Sequence, residues 1–395
     1  MTAPAWQRRG YSVAAMRDLA RSTLPRPVFD FADGAAEDER TLRRNESAFA
    51  EIALVPRPLN GAATRDLSLT LFGRALSMPV LVGPTGLAGL FWPGGEVATA
   101  RAAMAAGTVY CLSHGSVCPL EALNRPDMGT RWMQVFIYRD RAFTMELTQR
   151  AAAAGYHALV LTIDNQLLGR RERDIVNGFS IPPRFKARDM VGMAGKLPWL
   201  LRMRSALPGI TFGNYVRPGE ASDIATLAGR MGQLLDPGMS WRDVDSIRAA
   251  WQGPLILKGI LHPDEAREAV ERGIDGIIVS NHGGRQLDGA VSSIEALPGI
   301  VQAVGGRIPV LVDGGIRRGA DVVRALAMGA KACLIGRPHL WGVSVAGEAG
   351  VAHVLDLYRS EIDRVMGLLG ASRLGDLTPE ILFRPMPNNR PDTQA

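Results

Sequence analysis

The feature that most restricts how this chain can fold is a repeated alternation of short apolar runs with stretches of helical character. The runs fall at 79–86, 108–113, 133–138, 158–164, 254–259, 276–283, 309–315 and 333–338. Helical segments at 95–106, 142–154, 263–272 and 319–328 separate several of them. Short continuous apolar runs suit strands buried on both faces, and strands joined through helices form a parallel sheet. Eight such units predict a closed (β/α)8 TIM barrel. The competing architecture is an open doubly wound sheet, which would carry Gly-x-Gly-x-x-Gly after its first strand. That motif is absent there, and the glycines suited to a phosphate follow the last two strands instead.

Two regions depart from the alternation. Residues 12–57 read as an N-terminal helical cap, left through Pro56 and Pro58, and residues 67–76 as a short hairpin ahead of the barrel. About ninety residues separate the fourth run from the fifth, so a long insertion follows strand four. Its first part, 184–215, mixes Arg184, Lys186, Arg188, Lys196, Arg202 and Arg204 with Trp199, Leu200, Leu201 and other apolar residues, and Asp189 is its acid. Such a stretch can lie on an anionic bilayer surface, although the basic and apolar residues do not segregate cleanly around a helix; an active-site lid or a subunit contact is the alternative. A capped helix at 239–244 leads back to the barrel.

The 395 residues, 47% hydrophobic and 21% charged, are enough for a large core, and the net charge of +6 suits an anionic ligand or surface. Nucleic acid is not expected, because no run of five or six Lys/Arg and no zinc-finger or RNA-binding signature is present. Cys111, Cys118 and Cys333 fit reduced thiols in a cytoplasmic chain better than a disulfide framework. The first residues lack the apolar core of a signal peptide, and no 18-residue apolar window exists, so no transmembrane span is expected.

The chemistry gathers where the apolar runs end. The sixth closes in Ser280-Asn281-His282-Gly283-Gly284-Arg285-Gln286, which offers a base near neutral pH, glycines permitting close approach, and a planar fork for a carboxylate. A lone histidine is more often a satisfied core residue, but a polar cluster at the C-terminal end of a buried strand is where parallel barrels hold their chemistry. The seventh and eighth runs close in Asp313-Gly314-Gly315-Ile316-Arg317-Arg318-Gly319 and Ile335-Gly336-Arg337-Pro338, a setting for a phosphorylated cofactor. Lys258 ends the fifth and needs an anion, an electron-rich ring, or pairing with a nearby Asp. Asp164, ending the fourth, is placed to pair with His282 and raise its basicity, while Arg171 makes a second carboxylate clamp beside Arg285. Two arginines and a base fit a hydroxy or amino acid.

These residues, together with Lys258-Gly259 and with Gly83-Pro84-Thr85-Gly86-Leu87 and Trp92-Pro93, resemble the FMN-dependent 2-hydroxy acid dehydrogenases and oxidases over roughly 24–377, and most of all the mandelate dehydrogenase branch. The resemblance implies a single FMN domain: cap 1–78, barrel 79–345 with insertion 184–240, and C-terminal helices and tail 346–395. It implies FMN held by Thr85, Gly86, Ser113, Gln134, Thr162, Lys258, Ser280, Asp313, Gly315, Arg317, Gly336 and Arg337, and no metal. Arg171 and Arg285 would meet the substrate carboxylate. His282, oriented by Asp164, would take a proton either from Cα or from the hydroxyl as hydride leaves for the flavin.

Phe31 and Phe136 stand where the family usually presents substrate-contacting tyrosines, and Gly115 where glycolate oxidase has a tryptophan. Fewer hydroxyls and more room favour a bulky or aryl (S)-2-hydroxy acid such as mandelate. Tyr138, two residues beyond Phe136, either restores a hydroxyl or packs. The loss of both tyrosines keeps open an amine on a modified amino acid or peptide as substrate, and a non-catalytic FMN-binding barrel is the third reading. The electron acceptor would be oxygen or a quinone. The resemblance further implies peripheral membrane contact through 184–215 on the cytoplasmic face, and a homotetramer or larger.

Overall fold

The computed structural model describes residues 3–179, 194–215 and 234–383. Its centre is a closed barrel of eight parallel strands: β1 (Val80–Val82), β2 (Tyr110–Leu112), β3 (Arg131–Phe136), β4 (Ala158–Thr162), β5 (Leu255–Ile260), β6 (Gly276–Val279), β7 (Val310–Asp313) and β8 (Ala332–Ile335). Each strand pairs with its sequence neighbours, and β8 closes on β1 through Leu334 opposite Leu81. The helices expected between them run Gly95–Ala105, Arg141–Ala153, Pro263–Glu271 and Gly319–Ala327.

Alternation along each strand separates two cores. Leu81, Cys111, Val160, Ile256, Ile278 and Leu311 point inward and fill the barrel, while Val80, Val82, Leu257, Ile277 and Val312 pack under the surrounding helices. The hairpin Leu69–Leu71 with Arg74–Leu76 plugs the N-terminal end: Leu71 and Leu76 join the inner cluster, and the Phe72 ring lies 5.7 Å from that of Trp132. With that end sealed, the opening is at the C-terminal ends of the strands.

β3 ends two residues earlier than its apolar run suggests. The Tyr138 backbone N–H donates to Thr144 Oγ1, and Tyr138 forms an isolated antiparallel bridge with Leu235, so the chain has left the barrel by then. The Tyr138 ring nevertheless stays on the side of Phe136, 6.1 Å between centroids.

The cap comprises helices Val13–Thr23, Arg26–Asp33 and Arg40–Ala50. It is tied across the barrel mouth by Arg337, which donates to the carbonyls of Asp33, Gly34 and Gly283. The long helix Arg337–Leu369 follows β8 and is interrupted at Ala346 and Gly347.

After β4 come helix Glu172–Asn177 and, within the insertion, Leu197–Met203, and helix Trp241–Ala250, capped by Ser240, re-enters the barrel. Arg184, Lys186, Arg188 and Asp189 lie outside the described residues. Within Leu197–Met203, Trp199 and Met203 are buried, whereas Leu197 and Leu201 are 55% and 56% exposed. Of its cations, Lys196 caps the carbonyls of Arg21 and Ser22, and the Arg202 guanidinium lies 3.9 Å from the Trp92 ring centroid. Among the described residues no helix is long and apolar enough to cross a membrane.

Candidate active site

The open end of the barrel holds a cavity of about 600 Å³. His282 enters it from the turn after β6. The backbone there is left-handed at three consecutive residues, His282 (φ 58°), Gly283 (φ 63°) and Gly284 (φ 75°). A Cβ at Gly284 would lie 2.7 Å from the Leu42 backbone N of the cap. A histidine in this conformation is strained and persists only where its surroundings over-determine it. Here the Asn281 side chain accepts from Gly284 N–H, pairs reciprocally with the Asn45 amide, and donates to the Val291 carbonyl.

Asp164 Oδ1 lies 2.9 Å from His282 Nδ1. A carboxylate there fixes the tautomer with the proton on Nδ1 and leaves Nε2 as acceptor. Burial pushes the His282 pKa down; Asp164 opposes this without overcoming it, so the net direction is below the ordinary value rather than above it as the pairing alone suggests. Burial acts upward on Asp164, but His282 and Lys258 together hold its carboxyl below the usual range. At neutral pH the His282 ring is therefore a neutral imidazole.

Lys258 Nζ donates to Ser280 Oγ at 2.8 Å and lies 3.1 Å from Asp313 Oδ2. Burial alone would neutralise this amine, yet Asp313 and Asp164 raise its pKa, so it stays a cation. Pairing and a place on the cavity wall coexist in this residue. Ser280, expected in direct contact with a ligand, stands behind the wall: it is fully buried, absent from the lining, and its hydroxyl serves Lys258 and the His282 N–H. Asp164 likewise acts from behind His282.

Arg171 and Arg285 both line the cavity. Arg285 Nη1 donates to the carbonyls of Phe31 and Gly34, and its guanidinium lies 5.4 Å from the Phe31 ring centroid. Arg171 Nε has no partner among the described residues. Burial pushes both pKa values down, and for Arg285 the nearness of Arg171 and Arg337 adds to it. Two desolvated guanidinium groups repel each other until an anion joins them. Asp174, which also lines the cavity, is the nearby acid; burial raises its pKa.

Much of the remaining lining is aromatic. The Phe31 ring stacks on Phe179 at 4.5 Å, and Phe136 lies 4.1 Å from His114 and 6.4 Å from His282, centroid to centroid. The room left by Gly115 is bounded by Phe212 of the insertion, whose Cε1 would be 3.4 Å from a Cβ there. Tyr138 packs: its side chain is wholly buried, and its hydroxyl bonds His114 and Tyr215. Sequence patterns gave no reason to single out His114, Phe179 or Phe212, since nothing in their spacing marks them as neighbours of His282.

The remaining expected residues surround the floor of the cavity. Thr85, Gly86, Ser113, Gln134, Thr162, Asp313, Gly315, Arg317, Gly336 and Arg337 all line it. Strand register places Thr162 between Phe136 and Lys258. Thr85 Oγ1 is 3.0 Å from His339 Nε2, and Ser113 Oγ donates to Gln134 Oε1. Several polar groups here lack partners among the described residues: Gln134 Nε2, Thr162 Oγ1 and Asp313 Oδ1, and the backbone N–H groups of Gly315 and Gly336. Buried polar atoms left unpaired are costly, so such a set points to a ligand carrying both hydrogen-bonding ring edges and an anion. Arg317 reaches Glu46 at 2.8 Å, and Arg337 the three carbonyls named above, so both add positive field beside the loop amides.

Residues 20–384 match the family model described as FMN-dependent dehydrogenase. The chain is 44% identical to an L-lactate dehydrogenase of Caulobacter sp. (strain K31), covering 94% of this chain and 98% of the relative. It is 43% identical to an L-lactate dehydrogenase of Alcaligenes faecalis, covering 93% and 97%. Among solved structures, the monotopic membrane protein (S)-mandelate dehydrogenase superposes with a TM-score of 0.90 at 36% identity, covering 95% of this chain and 99% of that one. A mandelate oxidase with (S)-2-phenylpropionate gives 0.79 at 36% identity, covering 94% and 98%. The unpaired donors and acceptors on the floor, with cationic Lys258 beside them and free glycine amides at the ends of β7 and β8, fit the flavin ring and phosphate of FMN. On fold, on site chemistry and on likeness along almost its whole length, the chain belongs to the FMN-dependent 2-hydroxy acid dehydrogenase family.

Proposed function

We propose that this enzyme oxidises a bulky, apolar (S)-2-hydroxy acid, of which mandelate is the model, to the 2-oxo acid. The observation that carries the choice of substrate is that four phenyl rings, Phe31, Phe136, Phe179 and Phe212, line the same cavity as the two arginines. Arg171 and Arg285 bind the carboxylate by charge-assisted bonds, and the substituent then falls against the phenyl rings. His282 Nε2 accepts a proton from the substrate, from the hydroxyl or from C2, and Asp164 stabilises the imidazolium that results. FMN, when bound, supplies the acceptor for the two electrons removed from C2. Gln134, Thr162, Lys258, Asp313 and the amides of Gly315 and Gly336 would hold it, with Thr85, Gly86, Ser113, Arg317 and Arg337 around them. The cation at Lys258 favours negative charge accumulating nearby.

The exposed Leu197 and Leu201 support peripheral binding of the insertion at a bilayer surface, where a membrane quinone would be the electron acceptor. The deciding measurement is kcat/KM for (S)-mandelate, (S)-lactate and glycolate with an artificial electron acceptor. Mandelate is expected to lead by at least tenfold; a lead for lactate would replace the aryl substrate with a small aliphatic one, and ammonia release from an amine would replace the reaction class.

A further inference from the structure

His114 follows β2, is 4% exposed, and lines the cavity with its ring against Phe136. Its Nδ1 meets two phenol oxygens, Tyr138 at 2.7 Å and Tyr215 at 2.5 Å, and those oxygens lie 2.6 Å from each other. Counting protons in this triangle selects one tautomer. With Nδ1 unprotonated, one phenol donates to the other, and the second donates to Nδ1; both hydroxyl protons have acceptors. With Nδ1–H, three protons compete for two oxygens and one hydroxyl is left without an acceptor beside the wholly buried Tyr138, a costly arrangement. An imidazolium suffers the same defect, and burial, helped by His282, pushes the His114 pKa down to about 3. The proton is therefore on Nε2, which no described residue accepts from.

The neighbouring Phe136 has no hydroxyl, and the Ser113 hydroxyl is engaged with Gln134 and the Gly115 N–H. With Gln134 Nε2 assigned to the flavin floor, the imidazole is a further donor open to the cavity on this wall. We propose that His114 is a substrate-binding residue, donating from Nε2–H to an oxygen of the bound 2-hydroxy acid. Tyr138 and Tyr215 are positioning residues that hold the proton on that nitrogen. This rests on the cavity being the 2-hydroxy acid site, and it makes Tyr215, a residue of the insertion, part of substrate recognition.

The test uses the FMN-loaded enzyme labelled with ¹⁵N at its six histidines, with His114→Phe identifying the signal of interest. Wild type is expected to show an Nε2–H tautomer at His114 across pH 6–8, with a shift of that signal on adding the 2-oxo acid product. An Nδ1–H tautomer, or a signal indifferent to the product, overturns the proposal. His114→Phe should lower kcat/KM by about 10- to 100-fold with flavin content unchanged, and His114→Gln, which keeps an N–H donor, should recover most of it. An unchanged kcat/KM in His114→Phe, or loss of FMN in place of substrate affinity, also overturns it. Should His114→Phe not fold, the signal is assigned with His114→Gln and the wild-type tautomer and product shift decide. If no 2-hydroxy acid bleaches the wild-type flavin, it is the proposed substrate class that fails, a result distinct from any of these.

Discussion

Asp164 Oδ1 stands 2.9 Å from Nδ1 of His282, across 118 residues of sequence, and neither residue has this neighbour without the barrel. β4 and β6 deliver them to the same rim from either side of β5, and the left-handed turn at His282 aims the ring back toward the carboxylate.

Replacing Asp164 by Asn keeps the shape but lets the imidazole adopt the wrong tautomer and removes the charge that supports its protonation. kcat should fall by roughly 10²–10⁴ with FMN retained. In wild type the acid limb of kcat/KM should lie below the ordinary histidine value, because His282 is held down by burial. In Asp164→Asn that limb should move lower still. Steady-state pH profiles check both, and a limb above pH 7 in wild type would contradict the assignment.

The two arginines should separate on substitution. Arg171 Nε has no partner among the described residues, so Arg171→Met should raise KM for the acid at least tenfold and leave the urea midpoint nearly unchanged. Arg285 also ties the cap through Phe31 and Gly34, so Arg285→Met should raise KM and lower stability by about 2 kcal/mol. Denaturant titration of both variants beside their kinetics distinguishes the two behaviours.

Lys258→Met removes the cation that neutralises Asp313 inside the barrel. Breaking one side of a buried pair costs roughly 3–5 kcal/mol, and FMN affinity should fall with it. The double variant Lys258→Met/Asp313→Asn should recover stability without recovering FMN affinity, as read by urea unfolding and flavin fluorescence.

Gly315 has φ 82°, and a Cβ on it would sit 1.9 Å from the Asn45 carbonyl oxygen. Gly315→Ala must move the β7 loop off the cap, at a cost above about 2 kcal/mol, and should release FMN. Gly289, also at positive φ but with nothing within 4 Å, is the control: Ala there should cost only its backbone strain of about 1 kcal/mol and leave FMN bound.

Acid should unfold the enzyme partly through its buried imidazoles. Burial holds both His114 and His339 at about 3, against about 6.5 in an unfolded chain. Below pH ~6.5 the unfolded state binds protons that the native state refuses. Stability is therefore full above that value and falls by up to ~1.4 kcal/mol per pH unit per histidine as pH drops toward 3. Urea midpoints at pH 7.5 and 5 should differ accordingly, and His339→Gln should reduce the slope; equal midpoints would sink the linkage.

The eight strands, their order and the closed barrel could be read along the chain because each strand is buried on both faces and so leaves a continuous apolar run. The polar residues ending those runs mark the rim, and His282, Asp164, Lys258 and the β7 and β8 glycines are legible there from the sequence. Period and composition report local burial, and that much was written in the sequence. What the tertiary structure alone decided lies between elements distant in the chain. Phe212 fills the space beside Gly115, Ser280 works behind Lys258, the Tyr138 hydroxyl is taken up by His114 and Tyr215, and burial outweighs Asp164 in setting the basicity of His282. Each depends on three-dimensional distance and on how much water is excluded, and neither quantity has a signature in residue spacing.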